Sequence, residues 1–155
     1  AGLMLTEMGP KVLEFNARLG DPETQVLLPR LKDDLVELML KVVDEELEDV
    51  EITIRDEAAV CVVLASGGYP LTYKTGKKIK GLDDLNQYDN VLVFHAGSKK
   101  EGDHFVTDGG RVLGITVLEK GLFDAINEAY EMIEKVEFED MHYRTDIGFN
   151  AAQYE

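Results

Sequence analysis

The chain has 155 residues, 45% of them hydrophobic, which is enough for one ordinary domain with a core or for a small domain plus part of another. Its 31 acidic and 16 basic residues give a formal net charge of -15, which opposes nonspecific binding to nucleic acid or to an anionic membrane surface. The sequence contains no run of about 18 apolar residues of the kind that crosses a bilayer. The single cysteine, Cys61, lies in an apolar run, so we expect a buried reduced thiol and a cytoplasmic protein.

The first residues predict a pair of antiparallel strands. Residues 1–6 form an apolar strand that has neither an initiator methionine nor a signal-peptide pattern, so we expect the chain to begin inside a domain. Residues 12–19 are expected to return as the second strand across the turn at residues 7–10. Because two strands alone are marginal in water, we expect a preceding part of the same polypeptide, or a partner chain, to cover this pair.

Polar and apolar side chains alternate along the second predicted strand. Successive side chains of a strand point to opposite faces, so Glu14, Asn16 and Arg18 are expected to share one face. Two oxygen donors suit an Mg²⁺ carried by phosphate oxygens, because Mg²⁺ keeps several waters and takes only one or two protein oxygens. The guanidinium could then stabilise a phosphoryl group during transfer.

Two helices are expected next. Asp21 is predicted to be the N-cap of a short helix, with Pro22 at the first helical position and Pro29 ending it. Free backbone N–H groups at such a helix start would form an anion site for a carboxylate or phosphate. Asp34, followed by a glutamate three residues later, predicts a capping box that starts a second helix running to near Glu46.

From about residue 50 the pattern changes to short strands followed by a helix, which indicates an α+β protein. The predicted strands are Glu51–Arg55, Ala58–Leu64, Val91–Ala96, Phe105–Thr107 and Arg111–Leu118, and the predicted helix covers about Leu122–Val136. We place a domain boundary between residues 1–48 and residues 49–155.

Two glycine pairs mark turns that a ligand can approach. Gly67–Gly68, followed by Tyr69, predicts a turn whose backbone lines the substrate side of a cleft. Gly109–Gly110 leaves the ligand side of Arg111 open, and a guanidinium suits a bidentate contact with phosphate.

The remaining candidates are interpreted as structural. His95, inside an apolar strand, is expected to be a hydrogen-bonded core histidine. His104 and His142 are spaced too irregularly for a zinc site. The basic patch is expected to be a solvated loop that could also steer anionic substrates; it consists of Lys74, Lys77, Lys78 and Lys80.

Several separated motifs resemble one enzyme family. Residues 14–25, EFNARLGDPETQ, are similar to the final metal-binding strand of an ATP-grasp enzyme, in the version carried by the glycinamide ribonucleotide synthetase (phosphoribosylamine–glycine ligase) family. Residues 65–70, 93–97, 109–114 and 143–149 follow in that family's order. The resemblance implies that residues 1–48 end an ATP-grasp domain as a strand pair plus helices. Residues 49–155 would form a small, mostly antiparallel β domain with a C-terminal helix on the substrate side.

The resemblance also implies roles for individual residues. Glu14 and Asn16 would coordinate the Mg²⁺, or Mn²⁺ in its place, that bridges the ATP phosphates, and Arg18 would be a catalytic partner of the transferred phosphoryl group. Substrate-binding roles fall on Asp21, Glu23, Thr24, Gly68, Tyr69 and Arg111, the last for the phosphate of phosphoribosylamine. Most nucleotide-binding residues are expected outside this chain.

The reaction that the resemblance implies is an ATP-dependent ligation in purine biosynthesis. ATP would phosphorylate glycine to glycyl phosphate, and 5-phosphoribosylamine would attack it to give glycinamide ribonucleotide. We expect the chain to be inactive alone, with ATP, glycine, 5-phosphoribosylamine and a missing N-terminal part of the same polypeptide as its partners, and with neither nucleic acid nor membrane. Two alternatives stay open: another purine-pathway ATP-grasp ligase that uses formate or bicarbonate, and a noncatalytic binding or assembly module.

Overall fold

A computed structural model describes residues 2–151, which begin with an antiparallel hairpin. Strand β1, Gly2–Thr6, pairs with β2, Gly9–Glu14, and this confirms the predicted strand pair. The prediction that the second strand runs to residue 19 is wrong, because β2 ends at Glu14. In the observed register Glu14 already lies opposite Gly2, so the residues that follow extend past β1.

The two predicted helices are present but start or end at other residues. Helix α1 is short, Thr24–Leu27, and continues as a 3-10 turn, Leu28–Arg30. The prediction that Asp21 caps this helix is wrong, because residues 21–23 form turns and the helix begins after them. Helix α2, Leu35–Val43, is capped as expected by Asp34, whose Oδ1 accepts the N–H of Val36 at 2.7 Å. It ends three residues before the predicted Glu46.

The rest of the chain forms two small antiparallel sheets and two helices. In chain order the elements are β3 Ala58–Ala65, β4 Lys78–Ile79, α3 Leu82–Leu85, β5 Val91–His95, β6 Ser98–Glu101, β7 His104–Thr107, β8 Arg111–Glu119 and α4 Leu122–Ile133. One sheet has the strand order β3-β8-β5 and the other β4-β7-β6. Helix α4 packs against β3 and β8. The predicted α+β class with antiparallel sheets and a C-terminal helix is confirmed.

One predicted strand is wrong. Residues 51–55 do not form a strand within a sheet; they run beside residues 30–32 instead. The backbone N–H of Lys32 donates to the carbonyl of Thr53 at 3.0 Å, and that of Arg55 donates to the carbonyl of Arg30 at 2.7 Å. This pairing is limited to an isolated bridge between Leu31 and Ile54.

The buried core lies between the β3-β8-β5 sheet and α4. Its largest fully buried side chains include Leu64, Leu113, Ile115, Ile126 and Ile133. None of residues 2–50 is buried, although this part is rich in apolar side chains. Leu5 is 82% exposed, Phe15 79% and Val43 76%. No helix among residues 2–151 is long and apolar enough to cross a membrane.

Candidate functional site

The predicted metal ligands lie together at the end of the hairpin. Asn16 Nδ2 donates to Glu14 Oε1 at 3.1 Å, and both side chains are exposed. The prediction that Glu14, Asn16 and Arg18 share a strand face is wrong, because β2 ends at Glu14. The contact nevertheless places a carboxylate beside a carboxamide, two groups whose oxygens are of the kind that Mg²⁺ takes from protein. In the observed orientation the Asn16 nitrogen, not its oxygen, faces Glu14.

Arg18 is not directed to these two residues by any contact. Its Nη1 donates to the carbonyl of the neighbouring Leu19 at 2.9 Å. Among residues 2–151 no three His, Cys, Asp or Glu side chains are grouped so as to hold a metal ion. A cation at Glu14 and Asn16 would therefore take its other ligands from water, phosphate oxygens or groups outside these residues.

The structure brings two predicted substrate-binding residues into direct contact. Arg111 Nη2 lies 2.9 Å from Asp21 Oδ2, and Arg111 Nη1 donates to the backbone carbonyl of Asp21 at 3.0 Å. Their side chains are 37% and 49% exposed, so water reaches the pair and reduces its Coulomb energy. The contact joins the segment that follows β2 to the first residue of β8.

The start of α1 does not offer the expected anion site. The backbone N–H groups of Thr24, Gln25 and Val26 already donate to the carbonyls of Gly20, Pro22 and Glu23, at 2.9, 3.2 and 3.1 Å respectively. The Thr24 hydroxyl also donates to the Gly20 carbonyl. The prediction of free N–H groups at this helix start is therefore wrong, and substrate-binding roles for Glu23 and Thr24 stay predictions that rest on their side chains.

The two glycine turns pack against each other beside Arg111. The Ser66 hydroxyl donates to the Gly109 carbonyl at 2.8 Å, and the Ser66 N–H donates to the Gly110 carbonyl at 2.8 Å. The ring of Tyr69 lies so close to Gly110 that a Cβ there would come within 2.2 Å of it. Gly68 has φ +94°, a value that favours glycine. The predicted positions 68, 69 and 111 thus belong to one region.

Gln25, which was not among the predicted site residues, contacts this region through Asp21. Its side-chain Nε2 donates to Asp21 Oδ1 at 3.0 Å, and its backbone carbonyl accepts a hydrogen bond from the hydroxyl of the buried Thr116 at 3.0 Å. Two signals in the sequence pointed to it. Gln25 follows Asp21 by four residues, a spacing at which such side chains meet on a helical turn, and it belongs to the family-like string of residues 14–25.

The side chains interpreted as structural are partly confirmed. Cys61 is a free thiol, 8% exposed, and its burial raises its pKa. His95 is hydrogen-bonded as expected, with Nδ1 2.7 Å from Ser98 Oγ, and partial burial lowers its pKa. It is exposed at the end of β5, so its assignment to the core is wrong. Its ring contacts Phe105, with 4.4 Å between centroids.

The basic patch is tied to an acidic segment. Lys77 forms an ion pair with Glu139, and Lys80 Nζ lies 3.3 Å from Glu137 Oε2. The patch therefore borders the loop after α4, where the negative charges offset part of its positive potential.

Comparison of the sequence with known protein families shows which family it belongs to. The family profile described as "Phosphoribosylglycinamide synthetase, C domain" matches residues 59–150, more than half of the chain. This chain belongs to that family. The matched range includes Gly68, Tyr69 and Arg111, and it covers both three-stranded sheets, except the first residue of β3, and helix α4.

Individual relatives extend the similarity to the hairpin. A phosphoribosylamine–glycine ligase of Chlorobaculum tepidum is 47% identical over 97% of this chain, and that of Caldanaerobacter subterraneus is 48% identical over 96%. Each match covers only 35% of the relative's own length. A trifunctional purine biosynthetic protein of Gallus gallus is 47% identical over 99% of the chain and 15% of its own length.

A solved structure shares the fold. The crystal structure of phosphoribosylamine–glycine ligase from Thermotoga maritima matches 94% of this chain with a TM-score of 0.70 and 37% sequence identity. Here too the match covers 35% of the other chain. The chain thus spans about a third of the length of the ligases it resembles.

Proposed function

We propose that this chain is the C-terminal part of an ATP-dependent ligase that joins glycine to 5-phosphoribosylamine in purine biosynthesis, in the cytoplasm. The observation that carries the proposal is the identity of 47–48% over nearly the whole chain to proteins named phosphoribosylamine–glycine ligase. ATP would phosphorylate the glycine carboxylate to glycyl phosphate. The amine of 5-phosphoribosylamine would then attack that acyl phosphate, with loss of phosphate, to form glycinamide ribonucleotide.

The hairpin end is proposed to hold the metal that accompanies ATP. The side chains of Glu14 and Asn16 already lie in contact, through the Asn16 amide nitrogen and a Glu14 oxygen. With the Asn16 amide turned to present its oxygen, a divalent cation there, Mg²⁺ or Mn²⁺, would neutralise charge on the phosphates. Arg18 is exposed two residues after Asn16, and its Nη1 donates to the backbone carbonyl of Leu19. Its guanidinium is therefore available to contact the transferred phosphoryl group.

The region around Arg111 is proposed to bind phosphoribosylamine. An arginine carries a fork of N–H donors, and Asp21 uses two of them, so others remain for a substrate phosphate. The ring of Tyr69 packs against Gly110, the residue before Arg111. Glu23 and Thr24, in the same segment as Asp21, are proposed to complete the substrate side.

The remaining two thirds of the ligase are proposed to cover the hairpin and α2. These elements expose apolar side chains along their length, and none of residues 2–50 is buried. We propose that they end an ATP-grasp domain whose other strands lie in the N-terminal part of the same polypeptide, together with most of the nucleotide site. On this account the chain alone does not turn over.

The test is ADP release by the complete ligase that carries this chain. The assay contains Mg²⁺, ATP and freshly generated 5-phosphoribosylamine, with glycine, formate or bicarbonate as the carboxyl donor. We expect turnover with glycine that requires 5-phosphoribosylamine. Turnover with formate or bicarbonate in place of glycine would overturn the substrate assignment, and a failure to turn over with any of the three donors would favour a noncatalytic module.

A further inference from the structure

The contacts around Arg111 form a closed ring that starts and ends on β8. The hydroxyl of Thr116, a buried residue of β8, donates to the backbone carbonyl of Gln25 at 3.0 Å. Gln25 Nε2 donates to one oxygen of the Asp21 carboxylate at 3.0 Å, and the other oxygen holds Arg111 Nη2 at 2.9 Å. Since Arg111 is itself the first residue of β8, each member of the ring is held from two sides.

We infer that Gln25 and Asp21 are positioning residues, which fix the Arg111 guanidinium for a substrate phosphate. The inference rests on the phosphate-binding role proposed above for Arg111, and it changes the role predicted for Asp21 from substrate ligand to support. Gln25 then acts only through Asp21.

The chemistry of Asp21 favours support over direct binding. Its carboxylate carries a negative charge, as does a phosphate, so direct contact between them would be repulsive. Asp21 takes Arg111 with both its side chain and its backbone carbonyl. Two acceptors on one residue fix the plane of the guanidinium and leave its remaining N–H donors for another anion.

The Gln25 amide can adopt only one orientation in this ring. Its Oε1 is buried and has no hydrogen-bond partner among residues 2–151, which costs free energy that a donor to Oε1 would recover. A flipped amide would place Oε1 against Asp21 Oδ1, an acceptor against a carboxylate, and would lose the contact altogether. The Gln25 amide is therefore fixed with Nε2 toward Asp21, and this hydrogen bond holds the Asp21 carboxylate in place.

The test is a double-substitution cycle in the complete ligase. Gln25→Glu keeps the shape of the side chain, removes its N–H donor and adds a charge beside Asp21. We expect it to raise KM for 5-phosphoribosylamine about three- to tenfold, the effect of one ordinary hydrogen bond, while KM for ATP and for glycine stays unchanged. In an Arg111→Ala background the same substitution should have no further effect on KM.

Gln87→Glu is the matched control. Gln87 is exposed, and its Nε2 donates to the carbonyl of Asp84, so this change should leave all three KM values as they are. Equal effects of Gln25→Glu in the wild-type and Arg111→Ala backgrounds would overturn the inference. If Arg111→Ala does not fold, Arg111→Lys serves in the cycle because it keeps the charge and loses the fork.

The proposed role of Arg111 can fail separately. If Arg111→Ala leaves KM for 5-phosphoribosylamine unchanged, the phosphate role is wrong, and the ring is tested by melting temperature. Gln25→Ala should then lower the melting temperature by less in Arg111→Ala than in the wild type, because the contact between Asp21 and Arg111, which Gln25 supports, is already lost. Equal decreases would overturn the positioning role as well.

Discussion

Gly97 packs so closely against Gly109 that we expect alanine at position 97 to destabilise the fold. A Cβ on Gly97 would lie 2.6 Å from the Arg111 carbonyl oxygen and 2.6 Å from Gly109 Cα. Both neighbours are backbone atoms, which no side-chain rotation can move away. Gly97→Ala must therefore separate two backbone segments joined by hydrogen bonds, from the Gly97 N–H to the Arg111 carbonyl at 2.8 Å and from the Asp108 N–H to the Gly97 carbonyl at 2.7 Å.

The expected cost of Gly97→Ala combines overpacking with weakened hydrogen bonds. Overpacking costs about 1–3 kcal/mol and a lost hydrogen bond about 1 kcal/mol, which gives roughly 2–4 kcal/mol of unfolding free energy. At about 2–4 °C per kcal/mol for a chain of this size, the melting temperature should fall by roughly 4–16 °C. Circular dichroism at increasing temperature measures this.

Gly102→Ala is the control for that measurement. Gly102 has φ +60° and open space around its Cβ position, so alanine there costs only the backbone strain, about 1–2 kcal/mol. A melting temperature for Gly97→Ala equal to or above that of Gly102→Ala would refute the packing of Gly97 against Gly109.

Three further predictions concern the core, a carboxyl group and the thiol. Leu113→Ala, in the fully buried core, should cost about 2–5 kcal/mol in urea unfolding, whereas Leu40→Ala on the exposed face of α2 should cost far less; equal costs would contradict the assignment of the core. Burial, together with the nearby Glu119 carboxylate, raises the pKa of Glu128. Folding therefore favours the protonated form of Glu128. The stability that this gives is present at acid pH and is lost as the pH rises through the pKa of the folded state. Glu128→Gln should therefore have a higher melting temperature than the wild type at pH 7 and a smaller advantage at pH 4; an advantage that is absent at pH 7 would argue against the raised pKa. Cys61 should react with iodoacetamide far more slowly in the folded chain than in urea, because burial raises its pKa and blocks access; equal rates would show that the thiol is accessible.

The longer elements were predictable from the sequence. Strands β3 and β8 match the predicted strands within one residue at each end, because long apolar runs between turn residues leave few alternatives. Helix α4 begins at the predicted Leu122 and ends three residues early at Ile133. The two-residue strand β4 and the four-residue helix α3 were missed, since such short elements depend on tertiary contacts that no local pattern reveals.

The candidate site was only partly predictable. The alternation at Glu14 and Asn16 predicted a shared strand face that β2 does not provide, although the two side chains are in contact. The end of β2 is set by its register with β1, which a local pattern does not reveal. Asp21 was assigned to a helix cap on its local pattern alone. Its actual partner, Arg111, is 90 residues away, and a contact at that separation follows from the packing of the whole domain. Whether the domain boundary lies near residue 48 stays a prediction.

The central claim is that Glu14 and Asn16 bind the metal that accompanies ATP in a glycine ligase. The most direct measurement is glycine- and 5-phosphoribosylamine-dependent ADP release by the complete ligase across a range of Mg²⁺ concentrations, for the wild type and for the double variant Glu14→Gln, Asn16→Ala. Glu7→Gln, an exposed carboxylate in the turn of the same hairpin, is the control. We expect the double variant to need about 10–100-fold more Mg²⁺ for half-maximal rate, or to lose turnover, while the control behaves as the wild type. A double variant with the Mg²⁺ dependence and rate of the wild type would contradict the claim.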